Sequence, residues 1–179
     1  SGGTAPTVIR RARSFAPTPI DRAGEVSPTL GTGALLHGAF CLAAGGRAFL
    51  SQHIGDLDTE GSMTAYRDAL DRYRDVFRIE PELVAHDLHP DFMTTRLATS
   101  LGLPRVAVQH HHAHIAATMA EHGLDGDVLG LAFDGLGLGD DGTIWGGELL
   151  VCSAATYLRV GHLRQVVQPG GDGILDDRR

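Results

Sequence analysis

Hydrophobic and polar positions follow two rhythms along this chain. From Leu30 onward, short apolar runs at Leu30–Leu36, Ala39–Ala43 and Arg47–Gln52 are separated by Gly38 and Gly45-Gly46, the punctuation expected of hairpin-linked strands. Between Gly61 and Arg78 the period changes. Met63, Tyr66, Leu70, Tyr73 and Phe77 recur at three- and four-residue steps with charges between them, which predicts an amphipathic helix with a core-facing stripe. Leu83–Asp87 predicts a short strand, and Pro90 opens a helix over Asp91–Leu101 with Asp91 as its cap. Val106–Gln109 predicts a strand leading directly into a helix over His110–His122. Val128–Phe133 predicts another strand, Asp134–Gly142 a glycine-rich turn, Thr143–Ala154 its return, and Tyr157–Val167 one strand more. Hairpins followed by alternating strand and helix indicate an α/β fold with a mixed sheet.

Residues 1–28 differ from the rest. A small, polar start runs into Val8-Ile9-Arg10-Arg11-Ala12-Arg13 and then Pro17, Pro19 and Pro28, the composition of a linker or of the tail of a preceding domain. The chain begins without Met, so an excised fragment is expected.

Composition narrows the function classes. The 179 residues carry 15 basic and 22 acidic side chains, a net charge of -7, with 42% hydrophobic residues. All 15 basic residues are Arg, for which a GC-rich coding bias is sufficient explanation. An acidic balance argues against nucleic-acid binding. The chain has no run near the ~20 apolar residues that span a bilayer, and no signal-peptide pattern. No membrane association is expected. Cys41 and Cys152 lack C-x-x-C spacing and read as buried free thiols of a reducing, cytoplasmic compartment.

Candidate chemistry concentrates in two places, enriched in the two unusual residue types, 10 His and 24 Gly. In Gln109-His110-His111-His112-Ala113-His114, residues four apart share a helix face with Cβ atoms ~6 Å apart. His110 and His114 can therefore place two imidazoles on one metal, which would still need an oxygen ligand. The plain alternative is a His-rich helix start without a ligand. In Phe133-Asp134-Gly135-Leu136-Gly137-Leu138-Gly139-Asp140-Asp141-Gly142-Thr143, alternating glycines after an apolar strand suit backbone N–H groups to a phosphate. An ordinary β-turn is the competing account. Asp134, at the strand end, is placed to supply the oxygen ligand. Gly31-Thr32-Gly33 is a weaker candidate for a phosphate-approaching turn, and Asp87-Leu88-His89-Pro90-Asp91 places two carboxylates and a histidine where α/β clefts form.

Together these segments resemble a known family. Gly31-Thr32-Gly33-Ala34-Leu35-Leu36, Phe49-Leu50-Ser51-Gln52-His53-Ile54-Gly55-Asp56-Leu57, His86-Asp87-Leu88-His89-Pro90-Asp91, Val108-Gln109-His110-His111-His112-Ala113-His114, Asp140-Asp141-Gly142-Thr143-Ile144-Trp145-Gly146-Gly147-Glu148 and Pro169-Gly170-Gly171-Asp172 occur in the order seen in the Kae1-like domain of HypF-type carbamoyltransferases of NiFe-hydrogenase maturation. The resemblance spans residues 8–172. It implies the ASKHA architecture of actin-like and sugar-kinase-like ATPases, with residues 29–172 as a first lobe. It implies a carbamoyl-adenylate, formed from carbamoyl phosphate and ATP in a YrdC-like domain of the same protein. The carbamoyl group then passes to the C-terminal cysteine of a HypE-type partner. By position, His110, His114 and Asp134 correspond to metal ligands, with Fe2+ expected first and Zn2+ second. Asp134 is also the expected catalytic residue. Asp134, Gly135, Leu136, Gly137, Leu138 and Gly171 correspond to nucleotide-contacting positions, and Gly31, Thr32 and Gly33 join them. An antibiotic O-carbamoyltransferase, with a sugar hydroxyl as acceptor, and a noncatalytic metal- or nucleotide-binding lobe are the alternatives.

Three departures stand out. His37-Gly38 occupies the place of a Lys-Asn pair. Leu136 and Leu138 replace hydroxyl-bearing residues. After Asp172 the chain diverges over residues 173–179 and stops, so the second lobe is expected to be missing and the isolated chain inactive.

Overall fold

The computed structural model describes residues 18–21 and 25–165. The predicted elements form in order, on two sheets instead of one. The first sheet holds β1 (Ile20–Asp21), β2 (Thr29–Gly31), β3 (Cys41–Ala44), β4 (Arg47–Leu50), β5 (Leu83–Asp87) and β6 (Arg105–Val108), in the spatial order β1-β4-β3-β2-β5-β6. The β2–β3–β4 meander is antiparallel, whereas β2–β5 and β5–β6 pair in parallel. The sheet is therefore mixed, as the hairpin-then-crossover pattern predicts. Ile20–Asp21, inside the segment expected to be a linker, adds an edge by pairing with Arg47 and Ala48.

The helix predicted over Gly61–Arg78 is α1, Glu60–Phe77. Thr59 caps it in a capping box with Ser62, and Arg78 closes it in the left-handed conformation. Met63, Tyr66, Ala69 and Leu70 on its inner face are buried with Leu30, Leu42, Phe49 and Val84 of the sheet. Aromatic packing extends this core: Phe40 meets Tyr66 edge-on at 5.3 Å, and Phe49 stacks on Phe77 at 4.0 Å. The next helix, α2, is shorter than predicted, Met93–Ser100, with Phe92 at its N-cap. Asp91 does not cap it; it faces Arg96 at 3.7 Å instead.

The run expected as a strand over Leu30–Leu36 ends at Gly31. Gly33 turns the chain at φ +69°, where a Cβ would lie 2.2 Å from the Ala39 carbonyl oxygen. Only glycine fits there. Thr32, fully buried, is held from both sides: its N–H donates to the Ala85 carbonyl, and its own carbonyl accepts from the Tyr66 hydroxyl at 2.9 Å.

The second sheet is β7 (Val128–Leu138), β8 (Ile144–Cys152) and β9 (Tyr157–His162), all antiparallel. Helix α3 (His110–His122) coincides with its predicted bounds and packs Ile115 and Met119 against Ala132, Trp145, Leu150 and Cys152 of that sheet. Cys152 is buried as expected, whereas Cys41 is half-buried. The opposite face of the sheet displays Leu129, Leu131, Phe133, Leu158 and Val160 to solvent, because alternate strand positions point to opposite sides. Among the described residues no helix is long and apolar enough to cross a membrane.

Removing the Tyr66 hydroxyl leaves a buried carbonyl without that partner. Tyr66→Phe is expected to lower stability by about 1–2 kcal/mol. Urea unfolding checks this, with an unchanged dependence on denaturant showing that compactness is preserved.

Candidate metal centre

The N-terminus of α3 sits where the two sheets meet, and local chemistry explains how it is fixed there. The Gln109 side chain caps the helix, its Oε1 accepting from the His112 N–H at 2.9 Å. Its amide nitrogen donates to the Leu138 carbonyl and lies 3.2 Å from His111 Nδ1. His111, fully buried, approaches the Gly146 carbonyl through Nε2 at 3.1 Å. That pair of contacts defines a neutral ring: Nδ1 accepts from the Gln109 amide and Nε2–H donates to Gly146. Burial holds His111 below the ordinary histidine range, in agreement. His112 Nε2 similarly donates to the Ser153 carbonyl at 2.9 Å. Both middle histidines are thus anchors of α3 on the second sheet.

The outer two histidines face the other way. His110 Nδ1–H donates to Asp87 Oδ2 at 2.6 Å, and His110 Nε2 lies 2.7 Å from Asp134 Oδ2. His114 Nε2 lies 3.2 Å from His110 Nε2 and 3.7 Å from the same Asp134 oxygen. The hydrogen bond to Asp87 chiefly, opposed by burial and helped by both carboxylate charges, holds His110 above the ordinary histidine range. Desolvation and the neighbouring His110 hold His114 below it.

Asp134 reaches this position through a bulge. Phe133 pairs with Gly147 and Gly137 with Trp145, so Asp134, Gly135 and Leu136 together oppose the single residue Gly146. The extra residues swing Asp134 towards α3. The region expected as a turn over Asp134–Gly142 is therefore largely strand: β7 continues to Leu138, and the tight turn is confined to Gly139–Thr143, closed by the Gly139 N–H on the Thr143 carbonyl at 2.8 Å.

The glycines of this stretch have different physical reasons. A Cβ on Gly137 would lie 2.4 Å from the His111 ring, and one on Gly139 would lie 2.0 Å from Trp145 Nε1. These two admit close packing of α3 and of the hairpin. Gly135 and Gly142 are exposed with open space around them; of the two, Gly135 is the one next to Asp134. Leu136 lies within the bulge, and the Leu138 carbonyl is engaged by Gln109. Gly31 ends β2 beside Ala85 of β5, on the sheet edge where Asp87 also lies, while Thr32 and Gly33 are occupied in the packing described above. Gly171 lies outside the described residues.

The Asp140-Asp141-Gly142-Thr143-Ile144-Trp145-Gly146-Gly147-Glu148 run forms a scaffold for the hairpin. Asp141 Oδ1 accepts from the Thr143 N–H and hydroxyl and from Trp145 Nε1. Arg159 grips buried Glu148 through two nitrogens at 2.6 and 3.1 Å and lies 4.1 Å over the Trp145 ring. Glu148 also accepts from the Gly146 N–H at 3.1 Å, the residue whose carbonyl receives His111.

Sequence reasoning brings His110, His114 and Asp134 together correctly in space. It leaves Asp87 as a member of a weak cluster and gives His111, His112 and Gln109 no defined task. One signal could have found Asp87. Adjacent parallel strands place their C-terminal ends side by side, and Asp87 pairs with Val108, two residues before His110.

The donor set fits a divalent metal. Two imidazole nitrogens and one carboxylate oxygen form a triangle with edges of 2.7, 3.2 and 3.7 Å. Ligands held about 2.1 Å from one ion are separated by about 3.0–3.4 Å in octahedral or tetrahedral arrangement. Small side-chain rotations bring all three edges into that range.

A mixed-sheet α/β chain with a two-histidine, one-carboxylate donor set at the meeting of two sheets is thus defined. A family profile described as "HypF Kae1-like domain" matches residues 24–121, and one described as "Carbamoyltransferase, Kae1-like Domain, second subdomain" matches residues 130–177. The chain belongs to the HypF carbamoyltransferase family. It is 50% identical to carbamoyltransferase HypF2 of Cupriavidus necator over 96% of its own length and 22% of that protein's. It is 46% identical to carbamoyltransferase HypF of Rhizobium leguminosarum, covering 94% and 22%. The crystal structure of full-length HypF in its phosphate- and nucleotide-bound form superposes with a TM-score of 0.84 at 49% identity, covering 87% of this chain and 21% of that one. The chain therefore spans about a fifth of the length of these relatives. The boundary between the two profiles falls between α3 and β7, the same division that separates the elements contributing the histidines and Asp134.

The two kinds of glycine give opposite expectations. Gly137→Ala pushes a methyl into the His111 ring and is expected to cost about 1–3 kcal/mol through overpacking. Gly135→Ala meets open space and is expected to stay within about 0.5 kcal/mol of the parent. Thermal unfolding of the two variants side by side checks the contrast.

Proposed function

We propose that this chain provides the metal-holding part of an ATP-dependent carbamoyl transfer. Its carbamoyl group comes from carbamoyl phosphate and ATP as a carbamoyl-adenylate, made in a YrdC-like domain, and its acceptor is the C-terminal cysteine of a HypE-type protein in the cytoplasm. The product serves the cyanide ligands of NiFe-hydrogenase. The observation that carries this reading is the convergence of His110 Nε2, His114 Nε2 and Asp134 Oδ2 at the start of α3.

His110, His114 and Asp134 would hold a divalent ion, Fe2+ before Zn2+, which when bound supplies Lewis-acid polarisation of a phosphoryl or carbamoyl oxygen. The chain's own residues do the rest. His110 keeps its Nε2 aimed at the donor triangle because Asp87 occupies Nδ1. Asp134 adds a negative charge at the point where the bulge projects from β7. Gly135 beside it has no side chain and open space around it, with its N–H turned onto Asp134 Oδ1 at 2.7 Å, so an adenylate phosphate approaching there would have to displace that contact. In the transfer itself the acceptor thiolate forms a C–S bond to the carbamoyl carbon as the bond to the adenylate oxygen breaks, and AMP departs with the electron pair. Relatives about five times longer support assigning the acceptor and the adenosine pocket largely to segments beyond this one.

Metal-dependent stability tests the reading. Zn2+, or Fe2+ under anaerobic conditions, is expected to raise the unfolding free energy by about 2.7 kcal/mol at one hundred times the dissociation constant. His110→Ala and His114→Ala are expected to abolish that gain, and Asp134→Asn to reduce it. A melting curve indifferent to both metals would remove the basis of the proposal. The chain alone, given ATP, carbamoyl phosphate and a cysteine-terminated peptide, is expected to release no AMP.

A further inference from the structure

The environment of Asp87 has no counterpart at the other histidine. Its side chain is almost fully buried at the C-terminal end of β5. Both carboxylate oxygens are engaged: Oδ1 accepts from the His89 N–H at 2.8 Å, and Oδ2 accepts from His110 Nδ1–H at 2.6 Å. Its main chain is restrained as well, the carbonyl receiving the Thr95 hydroxyl at 3.4 Å and His86 Nδ1 at 2.8 Å. A carboxylate fixed at both oxygens cannot rotate to follow the ring, so the ring must follow it. His114 is the more exposed partner, with 59% of its side chain accessible against 17% for His110.

We infer that Asp87 is a positioning residue for the metal centre: it fixes the ring of His110 and commits its proton to Nδ1, so that the Nε2 lone pair is the one presented to the metal. This rests on the metal reading above. The physical basis is general. A ligating histidine whose second nitrogen donates to a carboxylate has its tautomer and orientation set in advance, and losing that partner lowers metal affinity by about 10–100-fold. The preset ring also explains the asymmetry of the pair. His110 is a rigid first ligand, and His114, one helical turn on and more exposed, closes the site after it.

Zn2+ titration of the chain, combined with 15N-histidine NMR of the zinc-bound form, tests the inference. In the parent, His110 is expected to be metallated at Nε2 and protonated at Nδ1, with the Nδ1–H protected from exchange. Asp87→Ala is expected to weaken Zn2+ binding by about 10–100-fold, with the His110 ring no longer confined to one tautomer. Asp87→Asn is expected to lose less than Asp87→Ala, because one amide oxygen can still accept from Nδ1–H, at the cost of the acceptor that receives the His89 N–H. Circular dichroism confirms that each variant is folded. If Asp87→Ala binds Zn2+ as the parent does, with the same ring assignment, the inference fails while the metal reading stands. If Zn2+ binding by the parent is unaffected by His114→Ala, the metal reading itself fails and takes the inference with it. Should both Asp87 variants unfold, the parent spectrum decides: Nδ1 metallation overturns the inference, and Nε2 metallation with a protected Nδ1–H supports it.

Discussion

The imidazole of His110 lies between two carboxylates that belong to different sheets, and the arrangement around it depends on that placement. Asp87 comes from the end of β5 and Asp134 from the bulge of β7, at 2.6 and 2.7 Å from the two ring nitrogens. Two partly desolvated carboxylates converging on one ring create a strongly negative site, which is unfavourable unless a positive charge resides there. A positive charge at that point meets this need, the direction in which Asp87 chiefly, and both carboxylate charges, shift His110. A divalent ion meets it better, because it replaces a proton with two positive charges. His114 is shifted the other way, held below the ordinary histidine range by burial first and by the neighbouring His110 second. The site is thus an electrostatic demand for a cation, built before any ligand arrives.

Meeting that demand requires α3 to be held tightly, and the residues beneath it do so. Gln109, His111 and His112 tie the first turn of the helix to Leu138 and Gly146 of the second sheet and to Ser153 just after β8. Gly137 permits the approach by having no side chain where the His111 ring lies. Below them, Glu148 is nearly inaccessible, and a buried carboxylate without a partner costs several kcal/mol. Arg159 supplies the partner through a two-point contact and covers Trp145 with its planar face. Asp141 then fastens Trp145 and Thr143 across the turn. The chain of contacts runs from the hairpin tip to His111, so the long motif of this hairpin supports the candidate metal site from below and does not line it.

Local pattern made the helices legible. The apolar stripe of α1 was readable because its residues carry the 3.6-residue period, and α3 because it follows directly on a strand; the structure adds Thr59 and Gly123 as the caps at the start of α1 and the end of α3. The donor pair His110 and His114 followed from helix geometry alone. Where the reading fell short, the deciding neighbour was distant in sequence. Leu30–Leu36 is apolar enough for a strand, yet it ends at Gly31 because Gly33 must turn under Ala39. The alternating glycines after Asp134 look like a turn, yet Gly137 and Gly139 are glycines because His111 and Trp145 lie over them. Asp91 resembles a cap, but Phe92 intervenes and the helix begins at Met93. Asp87 needed knowledge that β5 and β6 are parallel neighbours, which no local pattern contains.

The donor set is divided between two structural units, and this has a thermodynamic consequence. His110, His114 and Asp87 lie within the segment matched by the first family profile, and Asp134 within the segment matched by the second-subdomain profile. A metal ligated by both segments, as proposed, would bind only the arrangement in which Asp134 reaches the two histidines. By linkage it stabilises that arrangement over any in which β7 has moved from α3, by the difference in its affinity for the two. The bulge makes this sensitive. Asp134 is offered by three residues that oppose one, so a small change in the pairing of Phe133 or Gly137 moves its carboxylate more than it moves the strand. Beside the bulge, His111 and His112 anchor α3 on the Gly146 and Ser153 carbonyls. The spacing of the candidate donor set and the register of the β7–β8 hairpin are therefore linked through the position of Asp134.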